Sequence, residues 1–296
     1  MSGGAAAAEG NGGSSSARIR SLETVRRHIE AETTTDTDAI CATVSKNVFF
    51  AVPVRTRGGQ TLPSDCLLTD HGAVHDYYAA RAGAYVVEAS SQLRSLATDW
   101  YVFNESAATL RGEGAIGEVD ATGRSFVVNS AILFPTATDG IRGEICITRH
   151  PFEDVAAGRV DAFAGEGQAA GIERSHAALQ DQLFDSLLRG GEPTPDASFK
   201  AAHVLAIRVD DSAGRPTVHT GVDRSRSRDA FASVFAGALE LSRVARVVTA
   251  WYAFAELVMT LETGTRRHLA LLQSVDQGAF SGSFGYGWDE AQAGPS

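Results

Sequence analysis

The chain has 296 residues, a formal net charge of −10 and a sequence pI near 5.3. Hydrophobic residues make up 44% and charged residues 21%, which is typical of a globular chain with about two domain cores. The acidic balance excludes a large basic face for nucleic acid, and no apolar run is long enough for a membrane span. Three cysteines without motif spacing predict buried thiols in a reducing compartment, so we expect a cytoplasmic protein.

The N-terminal half is predicted to begin with helices and to end in a sheet. Residues 1–17, rich in Gly, Ala and Ser, predict a disordered tail. Leu22, Val25 and Ile29 have the spacing of an amphipathic helix, which leaves His28 outside the buried stripe. The remaining elements are a short helix after Asp36, an apolar strand over 48–54, a helix capped by Asp70, and strands over 93–103, 107–119, 125–134 and 143–148, with a turn at 104–106.

The C-terminal half repeats this order. Residues 159–172 are small and Gly-rich and predict a linker between a domain at 18–158 and a domain at 173–290, with a short tail at 291–296. The second domain is predicted to contain helices over 175–188, 195–202 and 229–241 and strands over 204–209, 244–254, 257–263, 268–275 and 279–286.

One segment occurs twice, as WYVFNESAATL at 100–110 and WYAFAELVMTL at 251–261. The identical residues are Trp100, Tyr101, Phe103, Glu105, Thr109 and Leu110, which recur at a constant offset. This repeat predicts a tandem duplication of one domain. Alternation along a strand places Tyr101, Phe103 and Glu105 on one face, so we expect the two copies to pack through these faces as an internal pseudo-dimer.

Four segments resemble a known family: RRHIEAETTTDTDAI (26–40), NVFFAVP (47–53), HGAVHDYY (71–78) and GEICITRHPF (143–152). They are similar to the SnoaL-like and ketosteroid-isomerase-like branch of the NTF2-like superfamily, over most of 20–155. The resemblance implies an α+β fold with two cone-shaped domains, each a strongly curved antiparallel sheet wrapped around three helices. It also implies an apolar pocket, in which one or two carboxylates and an oxyanion donor act on small hydrophobic molecules.

The resemblance places candidate site residues in the N-terminal half. His28 stands where isomerases carry a tyrosine that donates to the oxyanion, and an imidazole can donate or move a proton. The alternative is an exposed histidine on the helix surface. Val52 stands where isomerases carry the aspartate base, before Pro53, and valine cannot carry a proton.

Cyclases of the family carry an aspartate on the strand that is FVVNSAILF (126–134) here. Asn129 is its strongest polar group, and it is expected either to face the pocket with Leu133, orienting the substrate, or to face solvent. Phe50 is expected to line the pocket beside Val52, and Tyr78 either packs in the core or directs its hydroxyl into the pocket.

In the second copy, Asp211 is the preferred base, because it shares strand parity with Ile207 and Val209 and would have a raised pKa at a pocket mouth. The alternative is that Asp210 and Asp211 begin an ordinary turn.

We therefore expect a cofactor-independent acid/base enzyme of the cyclase, dehydratase or isomerase type, acting on a small, hydrophobic polyketide- or terpenoid-like molecule. His28, Tyr78 and Asp211 are its expected catalytic residues. No metal, cofactor, nucleic acid or membrane partner is expected, because no phosphate-binding loop, zinc motif or CxxC pair occurs in the sequence; further homo-oligomerisation stays open. The alternative is a non-catalytic module that binds a ligand or serves in assembly.

Overall fold

The computed structural model describes residues 15–57, 59–163, 169–188 and 198–290. Residues 1–14 of the predicted tail at 1–17, the tail at 291–296, the centre of the predicted linker and residues 195–197 of a predicted helix lie outside these ranges. Residues 15–17, also expected in the tail, are helical. None of the helices in the described ranges has both the length and the apolar run that crossing a membrane requires.

The N-terminal half packs helices against one large sheet. Asp36 and Asp70 cap two of the helices with their side chains, as predicted. The helices are α1 (Ser15–Thr34), α2 (Thr37–Cys41), α3 (His71–Ala84) and α4 (Phe152–Ala156). The strands are β1 (Phe50–Ala51), β2 (Val54–Thr56), β3 (Gly59–Thr61), β4 (Leu67–Leu68), β5 (Tyr85–Ala97), β6 (Tyr101–Gly112), β7 (Ala115–Ile116), β8 (Val119–Asp120), β9 (Ser125–Ala137), β10 (Gly140–Ile141) and β11 (Ile145–Thr148).

The C-terminal half builds a second sheet of the same plan. Its described helices are α5 (Ala169–Leu188) and α6 (Arg224–Val234), and its strands are β12 (Phe199–Asp210), β13 (Pro216–Gly221), β14 (Ala238–Val248), β15 (Tyr252–Leu261), β16 (Arg266–Asp276) and β17 (Ala279–Asp289). The strand order is β4-β1-β11-β9-β6-β5 in the first sheet and β13-β12-β17-β16-β15-β14 in the second. The two tryptophan-led segments therefore form β6 and β15, which have the same position in the two sheets.

The prediction of antiparallel sheets is wrong for one strand pair in each half. The pairs β1–β11 and β12–β17 are parallel, so both sheets are mixed. The reason is topological: the chain leaves the first strand of each sheet, builds the other strands, and returns beside it in the same direction. Bulges interrupt the register of β5 with β6 and of β14 with β15, and bulges increase the local twist and bend of a strand.

Several predicted boundaries are also wrong. The turn expected at 104–106 lies inside β6, and the chain reverses instead at 98–100. There Thr98 Oγ1 accepts a hydrogen bond from Tyr101 N, and Thr249 Oγ1 accepts one from Tyr252 N in the second copy. The second half differs more: residues 199–202, expected in a helix, begin β12, and residues 238–241, also expected in a helix, begin β14.

The two sheets pack face to face through the repeated segment, as strand parity predicted. The Phe103 and Phe254 rings are stacked with centroids 4.4 Å apart, and both are fully buried. The Tyr101 hydroxyl donates to Glu256 Oε2 at 2.8 Å, and the Tyr252 hydroxyl donates to Glu105 Oε2 at 2.8 Å. This reciprocal pairing is the pattern of an isologous interface, here within one chain.

Register shows how closely the two packing faces match. Phe103 pairs with Leu133 and Glu105 with Ala131 in the first sheet. The second sheet has the same four residue types, with Phe254 paired to Leu272 and Glu256 to Ala270. The glutamates thus recur because each accepts from the other copy's tyrosine, and not because a hairpin turn requires them.

The duplication supplies a matched pair of variants. Glu105 has an ion pair with Arg94, whereas Ala245 occupies the register position of Arg94 beside Glu256. Tyr101→Phe should therefore cost more stability than Tyr252→Phe, because Glu256 is left with the neutral donor Trp100 whereas Glu105 keeps the charged Arg94. The loss expected for Tyr101→Phe is roughly 1 to 3 kcal/mol. Urea denaturation of the two variants measures the difference, and equal losses would contradict this account of the interface.

Candidate functional site

A cavity of about 1200 Å³ lies between the first sheet and helices α1 and α3. Alternation along β9 places Val128 and Ile132 on the cavity wall. The opposite set, to which Asn129 and Leu133 belong, is turned toward the second sheet, where Leu133 packs in the core between the sheets. The expectation that Asn129 and Leu133 bind substrate is therefore wrong, because the parity of β9 is the reverse of the one assumed.

Three charged or ionisable side chains meet at one end of this cavity. Glu32 projects from α1, Arg81 from α3, and Glu144 precedes β11. Arg81 NH1 donates to Glu32 Oε1 at 2.5 Å, and the exposed fraction of each of these two side chains is only 13%. Glu144 is 5% exposed. The surrounding wall is largely apolar, so these groups interact with little screening by water.

The two carboxyl groups have opposite pKa shifts. Burial, and then the charge of Glu32, raises the pKa of Glu144 to about 8. Burial also works to raise the pKa of Glu32, but the charge of Arg81 opposes it and the net pKa is lowered. At neutral pH Glu32 is therefore ionised and Glu144 is protonated. A pair of carboxyl groups separated in this way can act as base and acid.

A hydrogen-bond chain lies behind Glu144. The Tyr78 hydroxyl donates to Glu144 Oε2, 3.1 Å away. Burial lowers the pKa of His28 to about 4, so its ring is neutral at pH 7, and its Nε2 lies 3.0 Å from the Tyr78 hydroxyl oxygen. The Thr43 hydroxyl donates to Ile40 O at 2.6 Å, and its oxygen also lies 2.6 Å from His28 Nδ1.

His28 is thus placed differently from the sequence expectation. Its side chain is fully buried beside α2 and α3, whereas Leu22, expected in the buried stripe, is 41% exposed. The buried face of α1 is rotated because the helix packs against the sheet and α2 together. His28 does not line the cavity, and its Nε2 contacts the Tyr78 hydroxyl instead.

The other N-terminal candidates lie near the cavity. Val52 lines it, as expected. Phe50 packs edge-on against Tyr78 with ring centroids 6.1 Å apart and supports the wall from behind. Tyr78 is 1% exposed and does not line the cavity, whereas its neighbour Tyr77 does.

The expectation of a raised pKa at Asp211 is wrong. Asp211 sits in a turn, where its carboxylate accepts from Ala213 N and Arg215 N and pairs with the Arg215 side chain. These hydrogen bonds lower its pKa. Asp210 is the buried member of the pair, but it is held between the sheets by Arg208, Arg142 and Tyr286.

The interior of the second half is filled by its own side chains. Phe231 and Phe235 of the α6 region stack with ring centroids 5.0 Å apart, within a core cluster of eighteen buried residues that also includes Leu257 and Leu269. Those two leucines are a register pair of the second sheet. The corresponding pair of the first sheet, on the cavity wall, is Ser106 and Ser130.

The site carboxylate is also replaced in the second half. Ile145 pairs with Leu133 in the first sheet and Phe284 pairs with Leu272 in the second, so Ser283 stands where Glu144 stands. The second half therefore lacks both the open interior and the acid of the first, as far as its described residues extend.

Sequence reasoning did not select Glu32, Arg81 or Glu144. A signal was present for Glu32, which follows His28 by four residues and so shares its helix face. Glu144 immediately precedes an apolar strand, and strand parity groups it with Cys146 and Thr148, which also line the cavity. Nothing local connects these residues to Arg81, because the tertiary fold alone brings them together.

Ligand-type atoms of His28, Glu32 and Glu144 lie within 4.8 Å of one another. Such a set could suit a metal ion, but both His28 nitrogens already have hydrogen-bond partners and Arg81 places a positive charge against Glu32. The arrangement is therefore typical of proton transfer.

Comparison with known proteins gives structural likeness only: no family model and no curated protein matches the chain. A proposed polyketide cyclase from Xanthomonas campestris matches 44% of this chain and 90% of its own, at 16% identity and a TM-score of 0.34. A proposed isomerase from Bacillus subtilis matches 49% and 98%, at 15% identity and a TM-score of 0.37.

An NTF2-like protein from Anabaena variabilis matches 48% of this chain and 97% of its own, at 9% identity and a TM-score of 0.35. The likeness extends over about half of the chain and involves NTF2-like proteins, the group that the sequence resemblance predicted.

The pKa of Glu144 makes stability depend on pH in a defined direction. Between its ordinary value of 4.5 and about 8, the folded protein holds a proton that the unfolded chain has released, so stability falls as pH rises. His28 changes the pH dependence of stability only below pH 6.5, because there the unfolded chain binds a proton on this residue that the folded protein does not. From pH 6.5 to 8 the wild type should lose roughly 1 to 2 kcal/mol more than Glu144→Gln.

Urea denaturation at several pH values tests this expectation. Glu262→Gln, on an exposed turn, serves as the matched control and should keep the wild-type slope. Parallel pH profiles for wild type and Glu144→Gln would show that Glu144 is not a buried acid.

Proposed function

We propose that the N-terminal half is a cofactor-independent acid/base enzyme of the cyclase, dehydratase or isomerase type. Its substrate is a small hydrophobic molecule of polyketide- or terpenoid-like character. One observation carries the proposal: an ionised Glu32 and a protonated Glu144 face the same largely apolar cavity of about 1200 Å³. Clefts that combine apolar walls with a few convergent polar groups are the usual form of small-molecule sites.

Glu32 is the general base in this mechanism. Its carboxylate removes a proton from carbon next to a substrate carbonyl, and the Arg81 ion pair keeps it ionised before that step. Glu144 is the general acid, because its proton moves to the carbonyl oxygen as negative charge develops there. Return of the proton from Glu32 to another substrate carbon, with recovery of the Glu144 proton, completes an isomerisation without a cofactor.

Tyr78 and His28 are positioning residues for Glu144. The Tyr78 hydroxyl donates to Glu144 Oε2 and lies 3.0 Å from His28 Nε2. When Glu144 has given up its proton, this hydrogen bond stabilises the new carboxylate. A Tyr78→Phe variant therefore loses this stabilisation of the conjugate base and should protonate the substrate oxygen more slowly.

In this mechanism the second half is a structural partner of the first. We propose two NTF2-like cones, at 18–158 and 173–290, joined as an internal pseudo-dimer whose first pocket alone is active. The filled interior around Phe231 and the exposed, ion-paired position of Asp211 support a structural role for the second cone. The competing function, a module that binds without catalysis, would use the same first cavity.

Exchange of carbon-bound hydrogen tests catalysis before the natural substrate is known. A bulky cyclic ketone is incubated with the protein in D₂O, and NMR follows deuterium entering the positions next to its carbonyl. We expect wild type to accelerate exchange and Glu32→Gln or Glu144→Gln to slow it by roughly 10²- to 10⁴-fold, the usual contribution of general acid/base catalysis.

Asp211→Asn is the control in this assay and should leave the exchange rate unchanged, because Asp211 lies in an exposed turn. A wild type that binds the ketone without accelerating exchange would support the binding module and reject the enzyme.

A further inference from the structure

A row of neutral polar side chains crosses the cavity wall away from the carboxyl pair. Thr148 pairs in register with Ser130, Ser130 with Ser106, and Ser106 with Gln92, so that four neighbouring strands each contribute one residue. All four residues line the cavity. We name this set the polar row. Its Ser106 and Ser130 hydroxyls lie 3.3 Å apart and can pair with each other.

Hydrogen-bonding capacity near the row is unused in the described protein. Thr148 is 5% exposed and Asn104 is 8% exposed, yet Thr148 Oγ1 and Asn104 Oδ1 have no partner among the described residues. Asn104 pairs with Ile132, one layer closer to Glu144, and also lines the cavity. Leaving a buried polar atom without a hydrogen-bond partner is costly, so a ligand group that supplies a partner to Thr148 Oγ1 gains affinity.

The spacing along β11 sets the length of such a ligand. Glu144, Cys146 and Thr148 alternate along the chain and all line the cavity, so Glu144 and Thr148 are separated by four residues of extended chain, roughly 13 Å. The layer between them presents Cys146 and Ile132 beside Asn104. A molecule that reaches both ends must therefore be elongated, and mainly apolar in its middle.

The composition of the row sets the character of the distant group. Hydroxyls and amides both donate and accept, and no charged side chain belongs to the row. Arg55 also lines the cavity, but Asp276 Oδ1 lies 3.9 Å from its guanidinium and balances its charge. Carboxylates and phosphates are usually bound by arginine or lysine. A neutral hydroxyl fits better, because it can both donate to and accept from the unpartnered Thr148 Oγ1.

We propose that the substrate is a neutral, elongated, mainly apolar ketone with a hydroxyl group roughly 13 Å from the reacting carbonyl. The carbonyl end of this proposal rests on the proposed function; the hydroxyl end rests on the polar row alone. The second half provides an internal comparison, because the Ser106–Ser130 register pair of the row is replaced there by Leu257 and Leu269 in a filled interior.

Two probes test the inference: a twelve-carbon methyl ketone and the same ketone with a hydroxyl at its far end. Calorimetric titration should show wild type binding the hydroxyketone about ten-fold more tightly, the effect of one well-made hydrogen bond. Thr148→Val keeps the side-chain shape and should abolish the preference for the hydroxyketone. Ser130→Ala, which removes only a hydroxyl group, should reduce that preference.

Thr109→Val is the matched control, because Thr109 is on β6 between the cavity residues Ala108 and Leu110 and points to the other face. This variant should keep the full preference. Glu144→Gln should weaken the binding of both ketones by the same factor.

The results separate the two proposals. Equal affinity of wild type for the two ketones, or binding of neither, would overturn the polar row as a recognition site. A preference that Thr148→Val abolishes, together with no hydrogen exchange by wild type, would support the row and reject the enzyme.

Discussion

The buried ion pair between Arg81 and Glu32 is the interaction on which the site depends. Inside a largely apolar cavity an isolated carboxylate would take up a proton, and Arg81 prevents this for Glu32 alone. The ionised Glu32 then raises the pKa of Glu144 further. The pair thereby favours opposite protonation states for two identical functional groups.

The two copies of the sheet are alike on the face that packs between them and differ on the inner face. The packing faces are the same in both copies, because each tyrosine needs the other copy's glutamate and each phenylalanine stacks on its counterpart. The inner faces differ between the copies. Two serines of the first sheet lie on a cavity wall, whereas the corresponding leucines of the second sheet are part of a filled core. One copy can thus supply rigidity to a site that the other copy holds open.

Sequence alone predicted the features that depend on local rules. The repeat, the caps at Asp36 and Asp70, and the shared face of Tyr101, Phe103 and Glu105 all follow from spacing along one element. The face of β9 that lines the cavity could not be predicted, because alternation gives two faces and only the tertiary fold decides which is inside. The carboxyl pair was missed for a related reason: Glu32 and Glu144 are 112 positions apart in the sequence and become neighbours only when α1 packs across the sheet.

The most direct test of this account is a titration of the glutamate side-chain carboxyl carbons by NMR, with ¹³C-labelled glutamate and with Glu144→Gln to assign the signal. We expect one carboxyl to titrate near pH 8 in wild type and to be missing from the variant, while the signal of Glu32 shows that it stays ionised at neutral pH. A wild-type spectrum in which every glutamate titrates near its ordinary pKa of 4.5 would contradict the buried acid, and with it the proposed chemistry.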